Sequence, residues 1–235
     1  MQINGAHVLV TGANRGLGRQ FALSLLERGA GKVYATARRP DLIDVPGVVP
    51  LRLDVTDPAS IADAAAAAPD VTIVINNAGI LTGANLVTGN LDMIRHEMDT
   101  HFYGTLNVIR AFAPQLADGA ILNVLSAISW LAYDGAGAYH AAKAAEWALT
   151  NGVRLELAGQ RTLVTGLHLG SADTDMMAWY DGDKTAPEVI VAAALDGIEA
   201  HRPEVLADDW SRQVKAWLSE DPEVVYREAA AALST

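Results

Sequence analysis

The sequence predicts an α/β fold, a doubly wound and mainly parallel sheet with helices on both faces, in a single domain over residues 1–235. Three observations carry that expectation. Short apolar runs alternate with segments of helical periodicity along most of the chain, the mark of repeated strand–helix–strand units. The first apolar run passes straight into a glycine-rich turn and then a helix. A chain of 235 residues with 51% hydrophobic and 19% charged side chains suits one sizeable core and is far too apolar for disorder.

Each element follows from its local pattern. Val8-Leu9-Val10 is the first strand, and Phe21 to Leu26 lies in a helix ended by Gly29 to Gly31. Lys32 to Ala37 and Val49 to Leu53 are the second and third strands. An alanine-rich helix runs from Pro58 to Ala67, favoured by alanine's propensity and closed by Pro69. Val71 to Ile75 is a buried fourth strand. Leu91 to Leu116 reads as one long helix, Ala120 to Leu125 as the fifth strand, Ala138 to Ala158 as another helix and Leu163 to Leu169 as the sixth strand. Beyond Pro187 the pattern is helical. There Trp210, Val214, Trp217 and Leu218 share one helix face, a packing stripe within the subunit or against a partner.

Composition removes several function classes. With no cysteine, a disulfide framework, thiolate metal ligation and a thiol nucleophile are excluded, and no metal site is expected. The net charge of −11 argues against a nucleic-acid binder, because that affinity rests on Lys and Arg releasing counterions from phosphates. Met1 to Val10 carries no basic segment ahead of an apolar run, and no stretch approaches the ~20 apolar residues of a spanning helix. The expectation is a cytoplasmic protein with no membrane partner.

The first strand leads into Thr11-Gly12-Ala13-Asn14-Arg15-Gly16-Leu17-Gly18. A strand, a glycine turn and a helix N-terminus make an anion site, because unpaired backbone amides and the helix dipole converge there. Glycine serves where φ is positive or where backbone must touch a pyrophosphate. The spacing Gly-x3-Gly-x-Gly is one residue off the common dinucleotide fingerprint, and no Lys-Ser/Thr pair follows to make it a P-loop. At the end of the second strand, where a nucleotide fold reads the ribose, stand Ala37-Arg38-Arg39, with no acid until Asp41. Arginine there suits a 2′-phosphate, Arg15 can approach it from the turn, and NADP(H) is the expected cofactor. The plainer alternative is that Arg38 and Arg39 are solvated surface charges.

Tyr139 and Lys143 lie four residues apart on an expected helix, so both occupy one face about one turn apart. A lysine charge nearby favours the phenolate and is expected to pull the tyrosine pKa down, as a general acid/base requires. That spacing alone is common, and a tyrosine packed on a lysine stem explains most instances. Ser126 strengthens the reading: it closes the fifth strand at its carboxyl end, where ligand crevices of parallel sheets lie.

Taken in order, Thr11-Gly12-x3-Gly16-x-Gly18, Leu53-Asp54-Val55, Asn76-Asn77-Ala78-Gly79, Ser126 and Tyr139-x3-Lys143 make the chain resemble the short-chain dehydrogenase/reductase family over roughly Ala6 to Met176. The resemblance implies a Rossmann-like sheet with a nicotinamide cofactor along its carboxyl edge, held by the turn residues including Asn14 and Leu17. It further implies that Asp54 and Val55 flank the adenine, that Asn77, Ala78 and Gly79 line the cofactor, and that Asn76 steadies the central strand. Ser126 would hold the substrate oxygen, Tyr139 would exchange its proton, and Lys143 would bind the nicotinamide ribose and acidify Tyr139. Gly170 and Thr174 match the family's position near the nicotinamide. A homodimer or homotetramer is implied as well.

The chain departs from the family at two places. Where many members carry a relay asparagine three residues before a glycine, His101-Phe102-Tyr103-Gly104 offers histidine, which can hold the same water or can be a core residue. Where members often show Pro-Gly, the chain has His168-Leu169-Gly170, and the loss of proline predicts a looser turn. The segment 171–187, with Met176, Met177, Trp179 and Tyr180, is expected to be a lid, and Trp130, Leu131 and Tyr133 the opposite wall. The alternative is that Trp130 and Trp179 pin loops to the core. Lys143 is the one cation in the expected wall and Lys184 falls late in the lid, which disfavours a strongly anionic substrate and suggests an apolar or aromatic carbonyl compound. The expected activity is NADP(H)-dependent interconversion of a carbonyl and an alcohol. Its rivals are an NADP(H)-binding sensor without turnover and a cofactor-free lyase on the same fold.

Overall fold

A computed structural model describes residues 1–232. Strands β1 (His7–Val10), β2 (Lys32–Ala37), β3 (Val49–Arg52), β4 (Ile73–Asn76), β5 (Ala120–Val124), β6 (Leu163–His168) and β7 (Glu204–Leu206) form one sheet in the order β3-β2-β1-β4-β5-β6-β7. Every strand pair is parallel. The central strands bury both faces, which is why they read as unbroken apolar runs. Val8, Val10, Ile73, Ile75 and Leu122 belong to one core; Leu9, Val74 and Ile121, one residue out of step, belong to the other.

Helices cover both faces. α1 (Gly16–Glu27) brings Phe21 and Leu25 to the first core, and α2 (Pro58–Ala67) brings Ile61 to the second. α3 (Leu91–Met98) and α4 (Thr105–Phe112) flank a π-helical turn over Asp99–Gly104, and α5 (Gly137–Glu156) packs beside them. α6 (Pro187–Glu199) adds Ile190 and Ile198 to the first core, while α7 (Asp209–Ala216) and α8 (Pro222–Ala232) complete the described chain.

The strand order reverses between β1 and β4, so the turns leaving those two strands stand side by side at the carboxyl edge. Thr11 makes the junction: its Oγ1 accepts hydrogen bonds from the Asn77 and Ala78 amides at 2.9 and 3.0 Å. The Asn77 side chain answers by donating to the Thr11 and Gly12 carbonyls at 2.9 and 3.2 Å. Below them Asn76 donates to Asn123 Oδ1 at 2.8 Å, tying β4 to β5.

Three expectations need correcting. The helix expected over Leu91 to Leu116 is broken in register by the π turn, which adds a residue per turn and has no periodicity signal of its own. Gly104 ends that turn where a Cβ would come within 2.9 Å of Val55 Cγ2. β7 was not expected: three residues beside Pro203 carry no alternation, and pairing to β6 alone makes them a strand. β4 runs two residues later than expected at its start, Ile73 rather than Val71. Among the described residues no helix is long and apolar enough to cross a membrane.

Candidate active site

The glycine turn forms one end of a cleft of about 720 Å³ along the carboxyl edge. Gly12 and Gly16 have φ of +66° and +53°, the left-handed region that favours glycine, and a Cβ on Gly12 would lie 3.0 Å from Ala78 Cα. Gly18 is needed for a different reason, since a Cβ there would come within 2.1 Å of the Gly12 carbonyl oxygen. α1 begins at Gly16 with no side-chain cap and no acidic residue in its first turn. Its first amides and the positive end of its dipole are therefore open to an anion. Asn14, Arg15, Gly16 and Leu17 line the cleft, as do Asp54, Val55, Asn77, Ala78 and Gly79. Thr11 and Gly18 shape the turn beside that lining, Thr11 by accepting from the Asn77 and Ala78 amides and Gly18 by its close approach to the Gly12 carbonyl.

The three arginines differ. Arg38 lines the cleft near Asp54, whose carboxylate accepts from the Thr56 amide and hydroxyl at 3.0 and 2.8 Å. Burial works against the Asp54 charge, but those hydrogen bonds and the Arg38 charge hold its pKa below the usual value. Arg39 is paired with Asp41 at 2.8 Å, and exposed Arg15 stands 3.8 Å from Asp175. These features fit a nicotinamide dinucleotide: open amides for the pyrophosphate and a guanidinium beside the expected ribose position.

At the other end Ser126, Tyr139, Lys143 and His101 reach the same cleft, with Gly170 and Thr174 beside them. Ser126 caps a short 3-10 turn; its hydroxyl accepts from the Ile128 amide and donates to the Leu169 carbonyl, both at 3.3 Å. His168 donates from Nδ1 to the Ser126 carbonyl at 3.0 Å and stacks on Trp130 with ring centroids 3.7 Å apart. Burial drives the His168 pKa down to about 3, with Lys215 and Lys143 adding to the fall, so its imidazole is neutral. The turn at Leu169 is not loose as expected. Its carbonyl also accepts from the Ala127 amide at 2.8 Å, and the Gly170 amide donates to Asp208 at 2.6 Å, so hydrogen bonds replace proline's stiffness.

Behind the phenol lies a buried charge cluster. Lys143 donates to the Val124 carbonyl and to Glu146 Oε2, both at 2.7 Å, and Glu146 Oε1 accepts from Thr105 at 2.9 Å. His101 sits edge-on to Tyr139 at 5.1 Å; its Nε2 is 2.9 Å from the Ile80 carbonyl and 3.2 Å from Glu97, and its Nδ1 is 3.9 Å from Glu146. The Ile80 amide also approaches Nε2, at 3.4 Å. Gly79 admits the ring, for a Cβ there would meet His101 Cε1 at 2.8 Å. Burial pushes the Tyr139 phenol up; Lys143 opposes that, and Glu146 and Glu97 add to it. The expected fall in tyrosine pKa is thus reversed, because desolvation and two carboxylates outweigh one ammonium. Burial also works against the Lys143 charge, yet Glu146 and Tyr139 carry its pKa above the ordinary lysine value.

The walls differ in part from expectation. Tyr133, Met176, Met177 and Trp179 line the cleft. Trp130 and Leu131 do not: they pack with Val214 and Trp217 in a third core, with Lys215 Nζ 4.7 Å over the Trp130 ring. The Trp210 stripe therefore packs within the subunit, except for Leu218, which is exposed. Glu97, Glu146, Asp208 and Trp210 are site residues that sequence reasoning missed. Glu146 alone left a signal, an acid one helical turn from Lys143.

Residues 6–184 match the family model described as short chain dehydrogenase. The chain is 35% identical, over 182 residues, to an NADPH-dependent 1-acyldihydroxyacetone phosphate reductase of Schizosaccharomyces pombe; the match covers 73% of this chain and spans only 61% of that relative's length. It is also 35% identical over 207 residues to an uncharacterized oxidoreductase of Mycobacterium tuberculosis, covering 84% of this chain and 82% of the relative. A solved short chain dehydrogenase from Burkholderia cenocepacia J2315 in complex with NADP superposes with a TM-score of 0.93 at 37% identity, covering 97% of this chain and 98% of that one. A short chain dehydrogenase/reductase from Burkholderia phymatum in complex with NAD, 20% identical with a TM-score of 0.83 over 97% of this chain and 96% of that one, shares the fold.

Proposed function

The chain belongs to the short-chain dehydrogenase/reductase family of oxidoreductases, and from that premise we propose that it is an NADP(H)-dependent reductase of an apolar or aromatic ketone or aldehyde. One observation carries the reading: a single cleft joins the uncapped α1 N-terminus and Arg38 to Ser126, Tyr139 and Lys143. Bound there, the nicotinamide cofactor supplies the hydride. The open amides from Gly16 onward would hold its pyrophosphate and Arg38 its 2′-phosphate, and Asp54 and Val55 would line the adenine end.

Ser126 turns its hydroxyl hydrogen from the Leu169 carbonyl to the substrate carbonyl oxygen and keeps the bond it accepts from the Ile128 amide. Tyr139 gives that oxygen its phenolic proton. Lys143 has three hydrogens, two of which go to Val124 and Glu146, leaving one for a ribose hydroxyl. His101 stands at the place of the family's relay asparagine and helps return a proton to the pair. Apart from Lys143, the walls at this end, Ile128, Tyr133, Met177, Trp179 and Trp210, carry no cation, and the cleft's arginines stand at its cofactor end. That favours an uncharged carbonyl compound over a phosphate ester of the kind named for the Schizosaccharomyces pombe relative.

The segment 171–187 acts as the lid, held at its base by Thr185, whose amide donates to the Ser171 carbonyl at 2.8 Å and whose carbonyl accepts from Asp173 at 3.0 Å. Exposed Leu91, Met93 and Tyr103 on the helical run from α3 support a homo-oligomer. The deciding experiment titrates the purified protein with NADPH and NADH by calorimetry, then follows NADPH oxidation across a panel of ketones, aldehydes and quinones. Tighter NADPH binding with turnover of an apolar carbonyl is expected. Binding of neither nucleotide overturns the reading and favours the cofactor-free lyase.

A further inference from the structure

Glu146 lies one helical turn beyond Lys143 on α5, and both side chains are almost wholly buried. A buried ion pair contributes little net stability, because desolving two charges offsets most of their attraction. Its effect on neighbours is larger, since charges in a dry site act over several ångströms with little screening. The neighbour here is Tyr139, whose ring centroid is 5.8 Å from Lys143 Nζ.

We propose that Glu146 is a positioning residue of the Tyr139–Lys143 pair: its buried carboxylate anchors the ammonium and offsets its charge, keeping Tyr139 a proton donor. The inference rests on Tyr139 acting as the general acid of carbonyl reduction. A lysine without a counter-charge stabilises the phenolate and suits a base that oxidises an alcohol. With Glu146 at 2.7 Å the lysine presents the phenol with a dipole instead of a net charge. Glu97, fully buried on α3, works on the Tyr139 phenol in the same direction as Glu146. The titratable groups that face Tyr139 are Lys143 and Glu146 from α5, and Glu97 and His101 from α3 and the π turn. The loop after β4 contributes the Ile80 carbonyl, which His101 already engages. Thr105 holds Glu146 Oε1, so the carboxylate is fixed from α4 as well as from the lysine.

The test compares Glu146→Gln and Glu97→Gln with the wild-type chain. Tyr139 ionisation is read without substrate, as tyrosinate absorbance against pH minus the same titration of Tyr139→Phe. The alkaline limb of carbonyl reduction is read separately. In Glu146→Gln both midpoints should fall by about one pH unit, so that above the limb the rate drops roughly tenfold more than at neutral pH. Glu97→Gln, which leaves the lysine's hydrogen bonds intact, should shift both in the same direction by less, and decides the matter if Glu146→Gln does not fold. Loss of activity with an unmoved or raised Tyr139 midpoint in the folded variants overturns the proposal and leaves Glu146 a packing residue. If the tyrosinate midpoints fall but no carbonyl is reduced by the wild type, the charge assignment stands and the reductase reading fails.

Discussion

Tyr139 and Lys143 share a helix face because four residues make about one turn, and that much the spacing alone predicts. What spacing does not carry is the approach of Glu97 from α3, which adds to the effect of Glu146 on the phenol. Tyr139→Phe is expected to bind NADPH within a few-fold of wild type by calorimetry and to lose turnover by about three orders of magnitude, the scale of a lost general acid. Arg38→Asp should weaken NADPH far more than NADH, since it places a carboxylate against the 2′-phosphate and offers one to a free 2′-hydroxyl. An unchanged ratio of the two affinities would transfer the phosphate to Arg15 or Arg39. The chain itself suggests both proposed roles, Arg38 by its place at the end of β2 and Tyr139 by its company.

The elements were legible where they were long or buried on both faces. β1 and β4 carry the unbroken apolar runs Val8-Leu9-Val10 and Ile73-Val74-Ile75, and α1, α2 and α5 begin or end at glycine and proline signals. β7 and the π turn at Asp99–Gly104 were not, because β7 is defined only by its pairing to β6 and the π turn has no periodicity signal of its own. Between elements, the β1 and β4 turns depend on one hydroxyl. Thr11→Val leaves the Asn77 and Ala78 amides without their acceptor, and should lower stability by roughly 2 kcal/mol in a denaturant melt while weakening nucleotide binding. Thr11→Ser keeps the oxygen and should restore most of both; equal loss in the two variants would show that the methyl group matters more.

Across the whole molecule, acid sensitivity should concentrate at His168, which joins the Ser126 strand end to the C-terminal helices. The unfolded chain takes up its proton as pH falls through about 6.5, while the folded protein resists until about 3. Its contribution is therefore present above 6.5 and lost on acidification at up to about 1.4 kcal/mol per pH unit across that window. His168→Asn, which has no proton to take up, should flatten the acid limb of a stability-against-pH curve; an identical limb would place the sensitivity elsewhere. By itself the sequence determined the parallel α/β architecture and the glycine turn, because each is written in local periodicity or in turn chemistry, and its motifs singled out the serine, tyrosine and lysine of the proposed site. Tertiary structure alone decided which residues stand behind them. Glu97 faces Tyr139 from α3, Asp208 holds the Gly170 turn, and Trp130 stacks on His168 instead of lining the cleft. Charge and packing act through space, and a chain records only neighbours along itself.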